Sequence, residues 1–305
     1  MNNLKKVGLT ALAGSMVATS AFAGELSVSG SAAVKYQSKG SEQVTGNPFS
    51  DGNGITFSGS GDLENGMTVG YSYTMTDAAF STSNVTLDMG DTGKLAFGHD
   101  SAHGGIDTIK DMMPTAGEQV YDDVDATDEG VTDLGADPSL YYSITMNGVT
   151  ASASYSRTGL GTDNSIAITS NELIDGMNIG FGTGTNVISN TSEDDMTTVF
   201  ATYATGPITV GVQLSEIDKT AANSDVDREH ASISFAVNES LSVSYGVSNV
   251  EYEDSTKSDE ESSGFSASYT MGGMTLGAVA NKTDSLLGTA GTDRTFTEVS
   301  LTFAF

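Results

Sequence analysis

The sequence predicts an all-β chain, a transmembrane antiparallel β-barrel of sixteen strands by count. Three observations predict it. Apolar and polar residues alternate with period two through most of the chain, the mark of strands with one greasy and one wet face. Short and long connections alternate between those strands, as in barrels with tight turns at one end and loops at the other. Past the first residues, no apolar run reaches the ~20 residues of a membrane helix, whereas a tilted spanning strand needs about 9–11.

The N-terminus sets the compartment. Lys5 and Lys6 precede an apolar, small-residue run over 7–19, and Ala21-Phe22-Ala23 supplies a small-x-small cleavage signal. Residues 1–23 therefore have the form of a secretory signal peptide, and 24–305 that of the exported barrel. The chain has no cysteine, so neither a disulfide framework nor a thiolate metal site is available to it.

Strands are expected near 25–37, 54–62, 67–76, 83–89, 94–98, 139–146, 149–157, 164–170, 177–185, 196–205, 208–217, 229–237, 241–251, 263–271, 274–282 and 294–305. Val69, Tyr71, Tyr73 and Met75 show the pattern, as do Ile208, Val210, Val212 and Leu214, with polar or small residues between them. Asn147-Gly148 is a strong hairpin signal, and Glu64-Asn65-Gly66, Gly206-Pro207 and Gly272-Gly273 mark further short turns. Longer polar segments fall near 38–53, 77–82, 99–138, 158–163, 186–195, 218–228, 252–262 and 283–293. The count is even and puts both termini at the short-turn end. Strands 83–89 and 164–170 carry the weakest pattern, so fourteen or eighteen remain alternatives. A barrel of sixteen keeps an aqueous lumen, where one of about eight is filled by side chains.

Formal net charge is −28. That balance repels phosphate backbones and argues against nucleic-acid binding. Disorder is excluded by recurrent Tyr, Phe, Val and Ile with only four prolines. The acid must lie on loops or in a wet interior. No EF-hand spacing occurs in Asp123 to Asp128, and no P-loop lysine follows a glycine-rich segment; isolated G-x-G runs read as bulges or turns. His99 and His103, with Asp100 and Asp107 nearby, are a metal set only if the segment is helical, and loop solvation is the simpler reading. No cofactor is required, although external carboxylates are expected to bind Ca²⁺ or Mg²⁺ weakly.

Two stretches carry a resemblance. Val299-Ser300-Leu301-Thr302-Phe303-Ala304-Phe305 resembles the terminal strand of outer-membrane proteins, and Phe303 and Phe305 stand where that family carries its assembly signal. Gly93-Lys94-Leu95-Ala96-Phe97-Gly98-His99 resembles the strand before the constriction loop of general Gram-negative porins, closest to alphaproteobacterial ones. The resemblance implies an outer-membrane diffusion channel that is a homotrimer. It also implies contact with lipid and lipopolysaccharide, insertion by the barrel assembly machinery, and a long third loop folded into the lumen. The chain departs from the family in three places: His99 replaces a common Arg or Lys, segment 77–82 is short, and Trp is absent.

A channel does no bond chemistry, so its site is a constriction. Segment 99–138 is the longest connection, and connections of that length are functional or disordered. It carries Asp100, Asp107, Asp111, Glu118, Asp122 and Asp123, then five further acids, against the single base Lys110. Carboxylates lining a pore favour cations, and a cation-preferring passage for small hydrophilic solutes is the expected function. Strand parity places Lys35, Lys94, His230 and Arg294 on the inner wall. His99 joins this basic set only if a bulge redirects it, because strict parity turns it outward.

A secreted β-sandwich, solenoid or adhesin is the soluble alternative, disfavoured because nearly every strand carries its own apolar face. An outer-membrane protease or phospholipase would need an activated nucleophile or water, and the three histidines have no accompanying motif. A solute-specific or adhesion barrel would need an aromatic track or long ordered loops.

Overall fold

The computed structural model describes residues 26–41, 46–77, 79–99, 104–122, 124, 126, 139–157 and 159–305; the expected signal peptide lies outside them. Sixteen strands run β1 Ser27–Ser41, β2 Phe49–Asp62, β3 Thr68–Thr76, β4 Ala79–Asp88, β5 Lys94–His99, β6 Ser139–Met146, β7 Val149–Arg157 and β8 Thr162–Ser170. They continue as β9 Met177–Ser189, β10 Ser192–Thr205, β11 Ile208–Lys219, β12 Val226–Ala236, β13 Leu241–Tyr252, β14 Glu260–Met271, β15 Met274–Asp284 and β16 Arg294–Ala304. Each pairs antiparallel with its neighbours in sequence, and β16 returns to β1 in a closed barrel.

Closure leaves no strand edge unpaired, which a sheet in hydrocarbon requires. The seam runs from Ser31 opposite Ala304 to Ser41 opposite Arg294. Phe305 extends it, its carbonyl accepting from Gly30 N at 2.7 Å and its N–H donating back to Gly30 O at 3.0 Å.

Alternation sorts the wall. On β11, Val212 and Leu214 are about half exposed at 53% and 50%, while Gln213 between them is 1% exposed. The exposed apolar face is the lipid side, where each Val or Leu withdrawn from water contributes about 1.5–3 kcal/mol. Ser, Thr, Gly and a few large polar groups fill the inner face.

The turns follow their residues. Asn147 and Gly148 both take positive φ, 50° and 72°, as a two-residue hairpin turn matched to strand twist demands. Elsewhere the strands are longer than periodicity alone gives. β3 and β4 leave only residues 77–78 between them, and β9 and β10 only 190–191, so segments 77–82 and 186–195 are mostly strand. The strict alternation of short and long connections fails there. The reason is that ladder bonds join backbones whatever the side chains. At the top of β9 and β10 polar residues simply continue the pairing, with Thr185 Oγ1 donating to Asp195 Oδ1 at 2.7 Å. Gly180-Phe181-Gly182-Thr183-Gly184 likewise lies inside β9 in regular register, not at a turn or bulge.

The lowest part of the wall is β5 and β6, of 6 and 8 residues. The long segment leaves the barrel from there.

Candidate functional site

Residues 104–122 lie along the inner wall, crossing it strand by strand. Gly105 starts the path with φ +65°, and a Cβ there would meet Ser165 Oγ and Ser154 Oγ on β8 and β7. A short 3-10 turn over Gly105–Ile109 follows, with Ile106 N donating to Ser165 Oγ at 2.9 Å. Ile106, Ile109 and Met113 pack with inward-facing Ala167, Met196, Phe200 and Ile217, an apolar cluster inside the barrel. Gln213 on β11 then grips the backbone. Its Nε2 donates to Ile109 O at 2.9 Å and Lys110 O at 3.0 Å, and its Oε1 accepts from Met112 N at 3.0 Å.

Farther on, Ser232 of β12 donates to Pro114 O at 2.8 Å, and Ser244 of β13 accepts from Ala116 N at 2.9 Å. Asn281 of β15 donates to Gln119 O at 2.8 Å. Two glycines let the backbones approach. A Cβ at Gly182 would stand 2.8 Å from Ile109 Cδ1, and one at Gly211 would stand 2.5 Å from Pro114 Cδ. The wall thus offers the segment hydroxyls, amides and bare backbone in turn.

The charged residues separate into distinct places. Asp107 is buried near the start of the segment. Asp111 accepts from Gln119 Nε2 at 2.7 Å and from the Tyr121 hydroxyl at 3.2 Å. Although one edge of Asp111 stays open to solvent, desolvation by the surrounding segment raises its pKa above the ordinary carboxylate value, against the pull of Tyr121, Lys110 and Gln119. Glu118 Oε1 lies 3.6 Å from Lys35 Nζ, and Lys35 is also 3.3 Å from Glu298 Oε2 on β16. Asp122 turns back on its own segment, accepting from Gln119 N at 2.7 Å. Asp100 and Asp123 lie outside the described residues.

Of the bases, Lys35, His230 and Arg294 are on the inner face as parity requires. His230 is 4% exposed and sits beneath Tyr121, ring centroids 5.2 Å apart. Arg294 Nη1 donates to Asp293 O at 3.4 Å at the top of β16. Lys94 is at the opposite, turn end of β5, opposite Asp88 and Ser143, and does not join the Lys35 cluster. His99 is a correction to the basic set. The β4–β5 register runs without a bulge, so His99 stays on the outer parity of Phe97 and stacks on Phe80 at 5.1 Å. His103 and Asp100 lie outside the described residues, and among the described residues no three His, Asp or Glu side chains converge on a metal position. Phe303 faces outward beside Ala32 and Met274, and Phe305 completes the seam.

A closed sixteen-stranded barrel with a long segment laid on its wall is matched by one family description, Gram-negative porin, over residues 8–284. The chain belongs to the Gram-negative porin family. No curated protein sequence matches it. Solved structures share its fold at low identity. A porin refined at 1.8 Å is 18% identical with a TM-score of 0.69, covering 92% of this chain and 100% of its own. The anion-selective porin of Comamonas acidovorans is 12% identical with a TM-score of 0.67, covering 92% and 99%. A mutant porin of Rh. blastica is 13% identical with a TM-score of 0.66, covering 92% and 100%. The protein is an outer-membrane porin of a Gram-negative bacterium, and its barrel is a channel.

Sequence reasoning missed several residues of this porin's inner wall. Arg228 shares the parity of His230, and Glu298 shares that of Arg294 and the buried Phe296, so both were accessible to parity alone. Gln213 carried no signal beyond its parity. The apolar cluster did leave one: Met196, Phe200, Ala167 and Ile217 are apolar residues on the wet parity of β8, β10 and β11, where only an inner partner can cover them.

Proposed function

We propose that this porin passes small hydrophilic solutes and ions by passive diffusion, that segment 99–138 narrows its lumen, and that the passage prefers cations. One observation carries the reading: residues 104–122 are seated on the inner wall and bring Asp111, Glu118 and Asp122 with them. Carboxylates held in a confined, partly desolvated space attract cations and repel anions. Lys35 offsets part of that charge, being shared between Glu118 and Glu298. Selectivity is a property of such side chains and not of the fold, since the similar porin of Comamonas acidovorans is described as anion-selective.

No bond chemistry belongs to this reading. The two described histidines are poorly placed for it: His99 faces outward on Phe80, and His230 is buried under Tyr121. We include in the proposal a homotrimeric assembly, contact with lipid and lipopolysaccharide, recognition of the Phe303–Phe305 terminus by the assembly machinery, and weak Ca²⁺ or Mg²⁺ binding at external carboxylates. The test is conductance of single refolded channels in a planar bilayer under a KCl gradient. Large, long-lived steps with a cation-selective reversal potential are expected. A folded barrel without conductance would refute the diffusion pore, and an anion-selective reversal at neutral pH would refute the preference.

A further inference from the structure

We propose that Lys35 is a latch: it positions the far end of the lumenal segment and sets how much of that segment's charge the passage feels. The inference rests on the diffusion-pore reading above. Lys35 points inward from β1, with Nζ 3.6 Å from Glu118 Oε1 on the segment and 3.3 Å from Glu298 Oε2 on β16. Glu298 is 1% exposed and also accepts from Gln37 Nε2 at 2.7 Å. The first strand, the last strand and the segment therefore meet at one ammonium.

Its place on the circumference gives this contact its weight. Neutral side chains fasten the segment in sequence, from Ser165 on β8 through Gln213, Ser232 and Ser244 to Asn281 on β15. Lys35 takes the next position beyond them, on the far side of the β1–β16 seam. Lys35 and Glu118 are each about one-third exposed, at 31% and 28%, so the pair is partly screened and modest in itself. The buried Glu298 changes the balance. With Lys35 present, its positive charge lies against both carboxylates. Without it, Glu118 and Glu298 repel each other across the same gap, the segment lifts from the seam, and both charges face the passage.

The test compares the unmodified protein with Lys35→Met, Lys35→Arg and Glu118→Gln as single channels, reading reversal potential and the frequency of brief closures. Heat-modifiable mobility on a gel first shows that each barrel is folded. Lys35→Met is expected to raise the K⁺/Cl⁻ permeability ratio about two- to four-fold at low salt, the effect of one charge roughly 10 Å from each passing ion. It is also expected to multiply the closures, and Lys35→Arg to restore both readings. Glu118→Gln should multiply the closures while lowering the cation preference, a combination that loss of a mere lumenal charge does not produce. Closures unchanged in Lys35→Met would overturn the latch even if selectivity moved. Should that variant fail to fold, Glu118→Gln decides, because it alters the segment alone, and unchanged closures there overturn the latch equally. An anion-selective unmodified channel would remove the proposed preference while leaving the closures to judge Lys35.

Discussion

Replacing Gln213 by methionine keeps the length of the side chain and deletes its hydrogen bonding. In the structure that amide donates to Ile109 O, Lys110 O and Thr198 Oγ1 and accepts from Met112 N, all between 2.9 and 3.0 Å. With two N–H hydrogens and one acceptor engaged, it supplies about three full bonds, each about 1 kcal/mol net. Gln213 is 1% exposed, so water cannot replace those bonds while the segment stays seated. The bond to Thr198 stays within the wall, so the segment loses about two full bonds, or about 2 kcal/mol of docking, a roughly thirty-fold rise in the undocked population. Deuterium exchange read on peptides spanning 105–122 measures it directly. Protection at Met112 and its neighbours should fall roughly thirty-fold while the strands keep theirs. Exchange unchanged in the segment would refute the claim that Gln213 holds it to the wall.

Three further outcomes follow from the same contacts. Ile109→Ala removes a side chain 1% exposed and seated over Gly182, and should cost about 2–5 kcal/mol of docking, seen as exchange confined to the segment with the barrel intact. Desolvation raises the pKa of Asp111, so its ionised form weakens docking at neutral pH, and that cost vanishes as pH falls through the raised value. Cation preference should accordingly begin to fall at a higher pH in the unmodified channel than in Asp111→Asn, which reversal potentials across a pH series would show. Deleting Phe305 leaves fifteen strand pairs untouched but removes two backbone bonds to Gly30 at the seam, so insertion in cells should slow while detergent-refolded protein still forms the barrel, measured by heat-modifiable mobility over time.

The fold was legible because period-two alternation is a physical requirement of a wall between lipid and water. Val210, Val212 and Leu214 could not exchange faces with Gly211 and Gln213 without putting an amide into hydrocarbon. The strands 83–89 and 164–170, thin in pattern, are β4 and β8. Strand ends were not legible, because above the apolar band nothing distinguishes a polar ladder from a polar loop, as at 186–195. Within the site, the inward set Lys35, His230 and Arg294 came from parity, while His99 followed parity outward where the basic set needed a bulge. The path of the segment was hidden for a different reason. Ser165, Ser232 and Ser244 look like any hydroxyl wetting a channel, and only the geometry shows that backbone of the segment occupies them.

The bare positions at Gly182 and Gly211 have a consequence for how such a passage can vary. Each lies behind the segment, against Ile109 or Pro114, and not on the side that a permeating solute would meet. One added carbon at either place acts as a shim, pushing the segment inward without adding or removing a carboxylate or an ammonium. A bulkier residue at Ile109, or a smaller one, moves the same distance in small steps. On the proposed reading of the segment as the constriction, the bore is trimmed at positions that carry no charge, so a lineage or an engineer can change the size cutoff without altering the number of lumenal charges.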